Sequence, residues 1–402
     1  MENRANESPL LLCTMYALAA RYSTHQSVMA LGSIYGGPAS TMDEVKQRAC
    51  DVFYFRARDL VDQYMDFAKA STIAAFLLLK LLCAASGRIS ASWMYSGMAI
   101  SMLKEMRRGA NTDDDAPPTE ADTSIDWLER EKRRRLWWAC YIGDRYAAAA
   151  SDRPMIVQDA DCKVHFPATV EDWLNGYPAS PETPEVQEDR KRQIAEFASQ
   201  IPFNPIAQNQ SYLDYFILLS KIFGRVIDFT KVYKTTGGLT DMLLNSVTNP
   251  MRNANNSNTE AQNETQLIAL QTALESWYNY LPDSYRQLNY DVQLIAACSR
   301  PNPSSAKREV YLRANLAIYY RMCLILLHKP KLMNLLRKTT LSRHHATIPK
   351  ADTFIACHTA AKEITQIIEA IRGRDASPTN GVTHPSRISH HSSHLSPSSK
   401  AL

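Results

Sequence analysis

The chain has 402 residues, long enough to bury one large core or two smaller ones. Its 45 Lys and Arg against 41 Asp and Glu leave a net charge of +4, which is not the strong basic excess of a dedicated nucleic-acid clamp. Eight cysteines stand far apart and form no C-x-x-C, so local spacing builds neither a zinc knuckle nor a redox pair, and they read as buried thiols in a reducing compartment.

Helical periodicity dominates and strand-like alternation is almost absent, so the predicted class is all-α. The start, MENRANESPLLLCTMYALAA, lacks the charged leader region of a signal peptide. Ser8 as N-cap and Pro9 at the first helical position open a helix to about Tyr22. After the breaker GGPAS, Thr41 and Glu44 form a capping box for a longer helix. Its apolar stripe is predicted at Val45, Ala49, Val52, Phe53, Leu60, Tyr64 and Phe67. TIAAFLLLKLLCAA at 72–85 contains Lys80 and is shorter than the roughly 20 apolar residues that span a bilayer, so it reads as a core helix and no membrane is expected. Helices over 71–85 and 89–108 form an antiparallel hairpin, split at Gly87, whose freedom to adopt positive φ ends the first.

A polar loop at 111–124 precedes a helix over 125–150. Residues 167–208 are proline-rich and predict a long irregular insertion, and an asparagine-rich break marks a second at about 245–264. Helices follow at 211–229, 265–281, 306–328 and 351–372. From Arg374 the tail has almost no apolar residues and is expected to be disordered over 374–402, which leaves one domain over 1–373.

The densest basic run, EREKRRRLWW, starts that central helix. Glu129 with Arg133, and Glu131 with Arg135, are spaced i to i+4 in the favourable acid-first order, each pair worth about 0.2–0.5 kcal/mol. Trp137, Trp138, Tyr141, Ile142 and Tyr146 gather on the opposite arc. Adjacent tryptophans diverge by about 100° on a helix, so at least one faces the core. The run therefore reads as the wet face of a salt-bridged core helix and not as a DNA-reading surface.

In their order, Arg134, Arg135, Trp137 and Trp138, then Asp144 and Arg145, then Arg153 and Pro154, then Asp159, Asp161 and Pro167 resemble the regulatory, or middle homology, domain of fungal binuclear zinc-cluster transcription factors. Trp93, Gly97, Ala99 and Ile100 upstream, and Trp277, Leu281, Pro282, His328, Lys329 and Pro330 downstream, extend the resemblance over about residues 8–372. It implies a large helical regulatory domain in the nucleus that regulates RNA polymerase II transcription through coregulators, a second copy of the chain and a small-molecule inducer. DNA contact and zinc are implied only for the family's N-terminal cysteine cluster, which this chain lacks, and the chain is expected to be truncated. The family's glycine before Arg-Pro is Asp152 here, which sets a positive-φ turn at odds with the sequence.

Other chemistries are poorly supplied. Asp113, Asp114 and Asp115 evoke the magnesium site of a helical lyase, but Pro117 stands where another aspartate is needed. His344, His345 and His358, and the tail histidines 384, 390, 391 and 394, have no carboxylate or cysteine at ligand spacing. Asp159 and Asp161 have no nucleophile or base nearby in sequence. No P-loop, G-x-S-x-G or H-E-x-x-H occurs. No catalytic, cofactor or metal residue is assigned. A helical scaffold or sensor without DNA binding is the alternative.

Overall fold

A computed structural model describes residues 8–34, 41–108, 127–177, 184–199, 201, 203, 211–236, 250–298, 303–342 and 351–375. Among these, fourteen α-helices and no strand are present. The loop carrying Asp113–Asp115, the GGPAS breaker, His344, His345 and the tail from residue 376 lie outside the described residues.

Helix α1 (Pro9–Ala20) starts where Ser8 and Pro9 place it, although the Ser8 side chain makes no capping bond. Next, α2 (Gln26–Ile34) occupies a stretch the periodicity passes over. Helix α3 (Met42–Leu60) has the complete capping box, Thr41 Oγ1 accepting from the Glu44 amide and Glu44 accepting from Thr41 N–H. Its buried stripe is Val45, Ala49, Cys50, Tyr54, Ala57 and Val61; Phe67, assigned to that stripe by spacing, is 72% exposed because the helix ends at Leu60. α4 (Ala70–Ala85) and α5 (Ile89–Arg108) form the expected hairpin, with Gly87 at φ 72°.

The long α6 (Trp127–Ser151) crosses α4 and α5. Lys80 of α4 is carried into this crossing, 7% exposed, and its Nζ has no hydrogen-bond partner. Gly143 of α6 makes the room: a Cβ there would stand 2.6 Å from Lys80 Nζ. Burial lowers the Lys80 pKa, opposed by the charges of Cys140 and Asp144.

The proline-rich 167–208 is not wholly irregular. Thr169 caps α7 (Val170–Asn175), and Pro184, pre-set for a first helical turn, opens α8 (Pro184–Ala198). Helix α9 (Tyr212–Thr236) follows, and α10 (Pro250–Tyr280) turns the expected asparagine-rich break at 250–264 into helix. Two short helices, α11 (Asp283–Arg286) and α12 (Tyr290–Cys298), precede α13 (Pro303–Ser342) and α14 (Asp352–Asp375). α13 does not stop at the L-L-H-K-P element but runs through Pro330, which removes one backbone donor without ending the helix. The stretch Ser304–Arg337 is long and apolar enough to cross a membrane, yet its buried face belongs to the protein interior.

The main core joins α1, α3–α6, α9, α10 and the middle of α13, through Leu10, Phe76, Leu79, Trp137, Tyr141, Phe223, Trp277, Tyr319 and Cys323. A smaller core, Tyr290, Leu294, Val310, Ala314 and Ile367, sits among α12, the first half of α13 and α14. α13 therefore serves both.

Candidate functional site

The signature residues converge where α6 meets the extended strap that returns from it, residues 152–169, against α5, α8 and α9. The strap begins with a left-handed residue: Asp152 has φ 56°, so the turn that glycine would make easily is kept by an aspartate, one of the few other residues that tolerate this conformation. Arg153 then lays its guanidinium 4.6 Å from the Trp93 ring centroid on α5, while its carbonyl accepts from Lys231 Nζ of α9 at 2.7 Å. Pro154 is exposed.

Asp144 and Arg145 grip the middle of the strap. Asp144, 2% exposed, accepts from the amides of Ile156 and Val157 at 2.8 and 2.9 Å. Arg145, 1% exposed, donates from Nη1 to the Val157 and Tyr141 carbonyls and from Nη2 to Asp159 at 2.9 Å. Its guanidinium carbon lies 3.3 Å from the Tyr141 ring centroid. Burial alone would lower the Arg145 pKa, but Tyr141 and Asp159 more than offset it and the group is held charged. Asp159 thus accepts from the Tyr141 hydroxyl, Arg145 and, at 3.0 Å, Arg225 of α9. Asp161 receives Lys104 of α5 at 3.2 Å and closes its own turn on Gln158 N–H.

At the N-terminal end of α6 the basic run is absorbed by the protein. Of Arg130, Lys132, Arg133, Arg134 and Arg135, Lys132 is exposed, Arg134 is buried and the other three are half-buried, so the expected wet face is only partly wet. Both predicted i,i+4 pairs form, Arg133 with Glu129 at 3.8 Å and Arg135 with Glu131 at 2.8 Å. Glu131 is fully buried, pairs also with Arg134 at 3.6 Å and accepts from the Ala168 amide, while Arg135 donates to the Ala168 carbonyl. Burial raises the Glu131 pKa against both arginines. The charges therefore fasten the strap just beyond Pro167, itself buried.

Both tryptophans face the interior, Trp137 3% and Trp138 2% exposed. Trp138 donates to the His165 carbonyl at 2.8 Å and packs its ring against Phe166 and Phe197, each centroid 5.1 Å away. Phe197 comes from α8, inside the segment the sequence leaves irregular. Neither ring offers a free face on which a base can stack.

Sequence spacing did not find the contribution of α9. Lys221, Arg225 and Asp228 recur at i, i+4 and i+7 within the apolar middle of this helix, and that pattern was the available signal. Lys221 lies 3% exposed with its Nζ 5.3 Å from the Phe197 ring, and burial lowers its pKa to about 8 against the pull of Asp159. Asp214, near the start of α9, accepts from the Ser211 amide, and burial raises its pKa to about 7. Among the described residues no group of three His, Cys, Asp or Glu is placed to hold a metal ion, and His358 is stacked on Phe354. Trp277 is fully buried and donates to the Tyr215 carbonyl, and His328 is 5% exposed.

Chemically the arrangement is a clasp. Alternating charges bind backbone amides and carbonyls of the strap and tie α5, α6 and α9 together. The chain is similar in sequence to known transcription regulators. A Zn(2)-C6 fungal-type transcription factor, FTF1c of Fusarium oxysporum f. sp. lycopersici, is 25% identical over 175 residues, 43% of this chain and 18% of its own length. An uncharacterized transcriptional regulatory protein of Schizosaccharomyces pombe is 37% identical over 98 residues, 23% of this chain and 10% of its own. FTF2, another Zn(2)-C6 fungal-type factor of the same Fusarium, is 25% identical over 160 residues, 40% and 14% respectively. The chain thus spans less than a fifth of the length of each of these relatives. No solved structure matches. The family model of the fungal specific transcription factor domain matches residues 2–279, more than half of the sequence, and the chain belongs to that family of transcription regulators.

Proposed function

We propose that this chain is the regulatory part of a nuclear transcription factor, acting on RNA polymerase II transcription through coregulators and a second copy of itself and carrying out no catalysis. Sequence-specific DNA contact is assigned to a zinc-cluster module outside these residues, and zinc to that module alone. The observation that carries the reading is the fate of the basic run: within a domain of a transcription-factor family, Arg133, Arg134 and Arg135 are spent on Glu129, Glu131 and the backbone at 168, Arg130 is half-buried, and only Lys132 is exposed. A surface for phosphates needs those donors outward.

The test is to tether residues 1–402 to a heterologous DNA-binding module and measure a reporter, alongside duplex binding by the untethered chain. Reporter output should change, and duplex binding should be weak, blind to sequence and steeply salt-dependent. An unchanged reporter under every inducer tried, or tight sequence-specific binding by the chain alone, overturns the proposal.

A further inference from the structure

Between the strap and α9 the clasp leaves a cavity of about 110 Å³, lined by Met155, Gln158, Asp159 and Ala160 on one side and Gly224, Arg225 and Asp228 on the other, with Arg145 and Ala198 completing it. Its inner wall holds an unmet donor. Arg145 makes three hydrogen bonds, two from Nη1 to carbonyls and one from Nη2 to Asp159, but Nε has no acceptor although the residue is 1% exposed. A buried, charged donor without an acceptor is costly, and its partner is expected to come from outside the chain.

The space over that donor exists because residue 224 is glycine. A Cβ at Gly224 would lie 3.4 Å from both Arg145 Nε and Met155 Sδ, and so take up space beside the unmet donor. Helix interiors disfavour glycine relative to alanine, so the helix is less stable here than it need be and the opening is kept. Arg225, ion-paired with Asp159 at 3.0 Å, brings a second guanidinium to the rim, and Asp228 is exposed at the mouth. Met155, Ala160 and Ala198 supply short apolar wall.

We propose that this cavity binds a small carboxylate carrying a hydrogen-bond donor beside the carboxyl group, the pattern of a short 2-hydroxy or 2-amino acid. The carboxylate takes Arg145 Nε and the positive rim of Arg225, the hydroxyl or ammonium faces Asp228, and a one-carbon side chain rests on Met155 and Ala160. The size agrees: an apolar cavity of about 150 Å³ accommodates benzene, and a three-carbon acid is smaller. The site lies within the clasp of the proposed regulatory domain, but binding is read directly, so its failure leaves the reporter result untouched and the reverse also holds.

Calorimetric titration of the full chain with lactate, alanine, propionate and sulfate tests this. Lactate or alanine should bind with Kd of about 1 mM or tighter, and propionate, which lacks the donor, at least about tenfold more weakly. Which of the first two binds identifies hydroxyl or ammonium. Gly224→Ala should raise the melting temperature, since alanine favours the helix and the new methyl meets only ordinary contacts, while weakening binding at least about tenfold. Binding that survives Gly224→Ala undiminished, equal binding of propionate or sulfate, or no heat from any of the four with wild type would overturn the assignment.

Discussion

Replacing Asp144 with alanine should be among the most damaging single changes near the strap. Its Oδ2 atom alone accepts the Ile156 and Val157 amides at 2.8 and 2.9 Å. Val157 is 2% exposed, so its amide cannot turn to water, and an orphaned buried donor costs about 1–3 kcal/mol. The Ile156 amide, half-buried, recovers part of its loss by hydration, leaving about 1 kcal/mol. Arg145 Nη1, 3.7 Å from the carboxylate, loses a neighbour but keeps Asp159, and Lys80 loses the charge that raises its pKa, together about 1 kcal/mol. Asp144→Ala should therefore cost about 3–5 kcal/mol, whereas Asp144→Asn, which keeps an acceptor oxygen for both amides, should cost about 1–2 kcal/mol. Urea unfolding midpoints at equal slope measure both. An alanine variant within about 1 kcal/mol of wild type, or an asparagine variant as damaged as the alanine one, would refute the view that the two amides depend on this oxygen.

Two buried ionisable groups give further tests. Asp214 has a folded pKa of about 7 against an ordinary 3.8, so the folded state holds its proton more firmly and stability falls as pH rises between these values, by up to about 4 kcal/mol. Asp214→Asn, still accepting from Ser211, should gain on wild type steadily from pH 4 to 8; a difference that stays constant across that range contradicts the burial argument. For Lys80 the shift is opposite in kind. Its folded pKa lies below 10.5, the unfolded chain binds more protons between the two values, and stability rises with pH through that window, the cost being fully present below it. Lys80→Met should stabilise by about 1–3 kcal/mol at pH 7 and lose its advantage as pH approaches 10.5, measured by melting temperature; destabilisation at pH 7 would show that Nζ has a partner after all.

Local rules reached the parts of this structure that local chemistry decides. The Thr41–Glu44 box, the Gly87 turn and the Glu129–Arg133 and Glu131–Arg135 pairs involve neighbours within four residues and are visible as spacing. What spacing cannot convey is return of the chain. Glu131 and Arg135 look solvated until residue 168 closes over them, and Phe67 looks buried until the helix stops before it. α8 was hidden among prolines, one of which in fact begins it, and α10 among asparagines whose weak helix preference is outweighed once the helix continues into Leu267, Leu274 and Trp277 in the core. The signature residues were found through resemblance, but their partners on α9 were not, because Asp159 and Arg225 are paired only by the fold.

The forty-residue α13 has a consequence for how the protein is made. It supplies Leu316, Tyr319, Tyr320, Cys323 and Leu327 to the main core, and Val310 and Ala314 to the smaller one. The family-matched stretch ends at residue 279, before any of these side chains. During synthesis at about 5–20 residues per second, the apolar faces of α4, α6 and α9 must wait from about 5 s to about 50 s for the helix that seals them. A nascent chain in that interval exposes Phe223, Trp277 and the aromatic rings around them, making it a client for chaperones until residue 327 has left the ribosome.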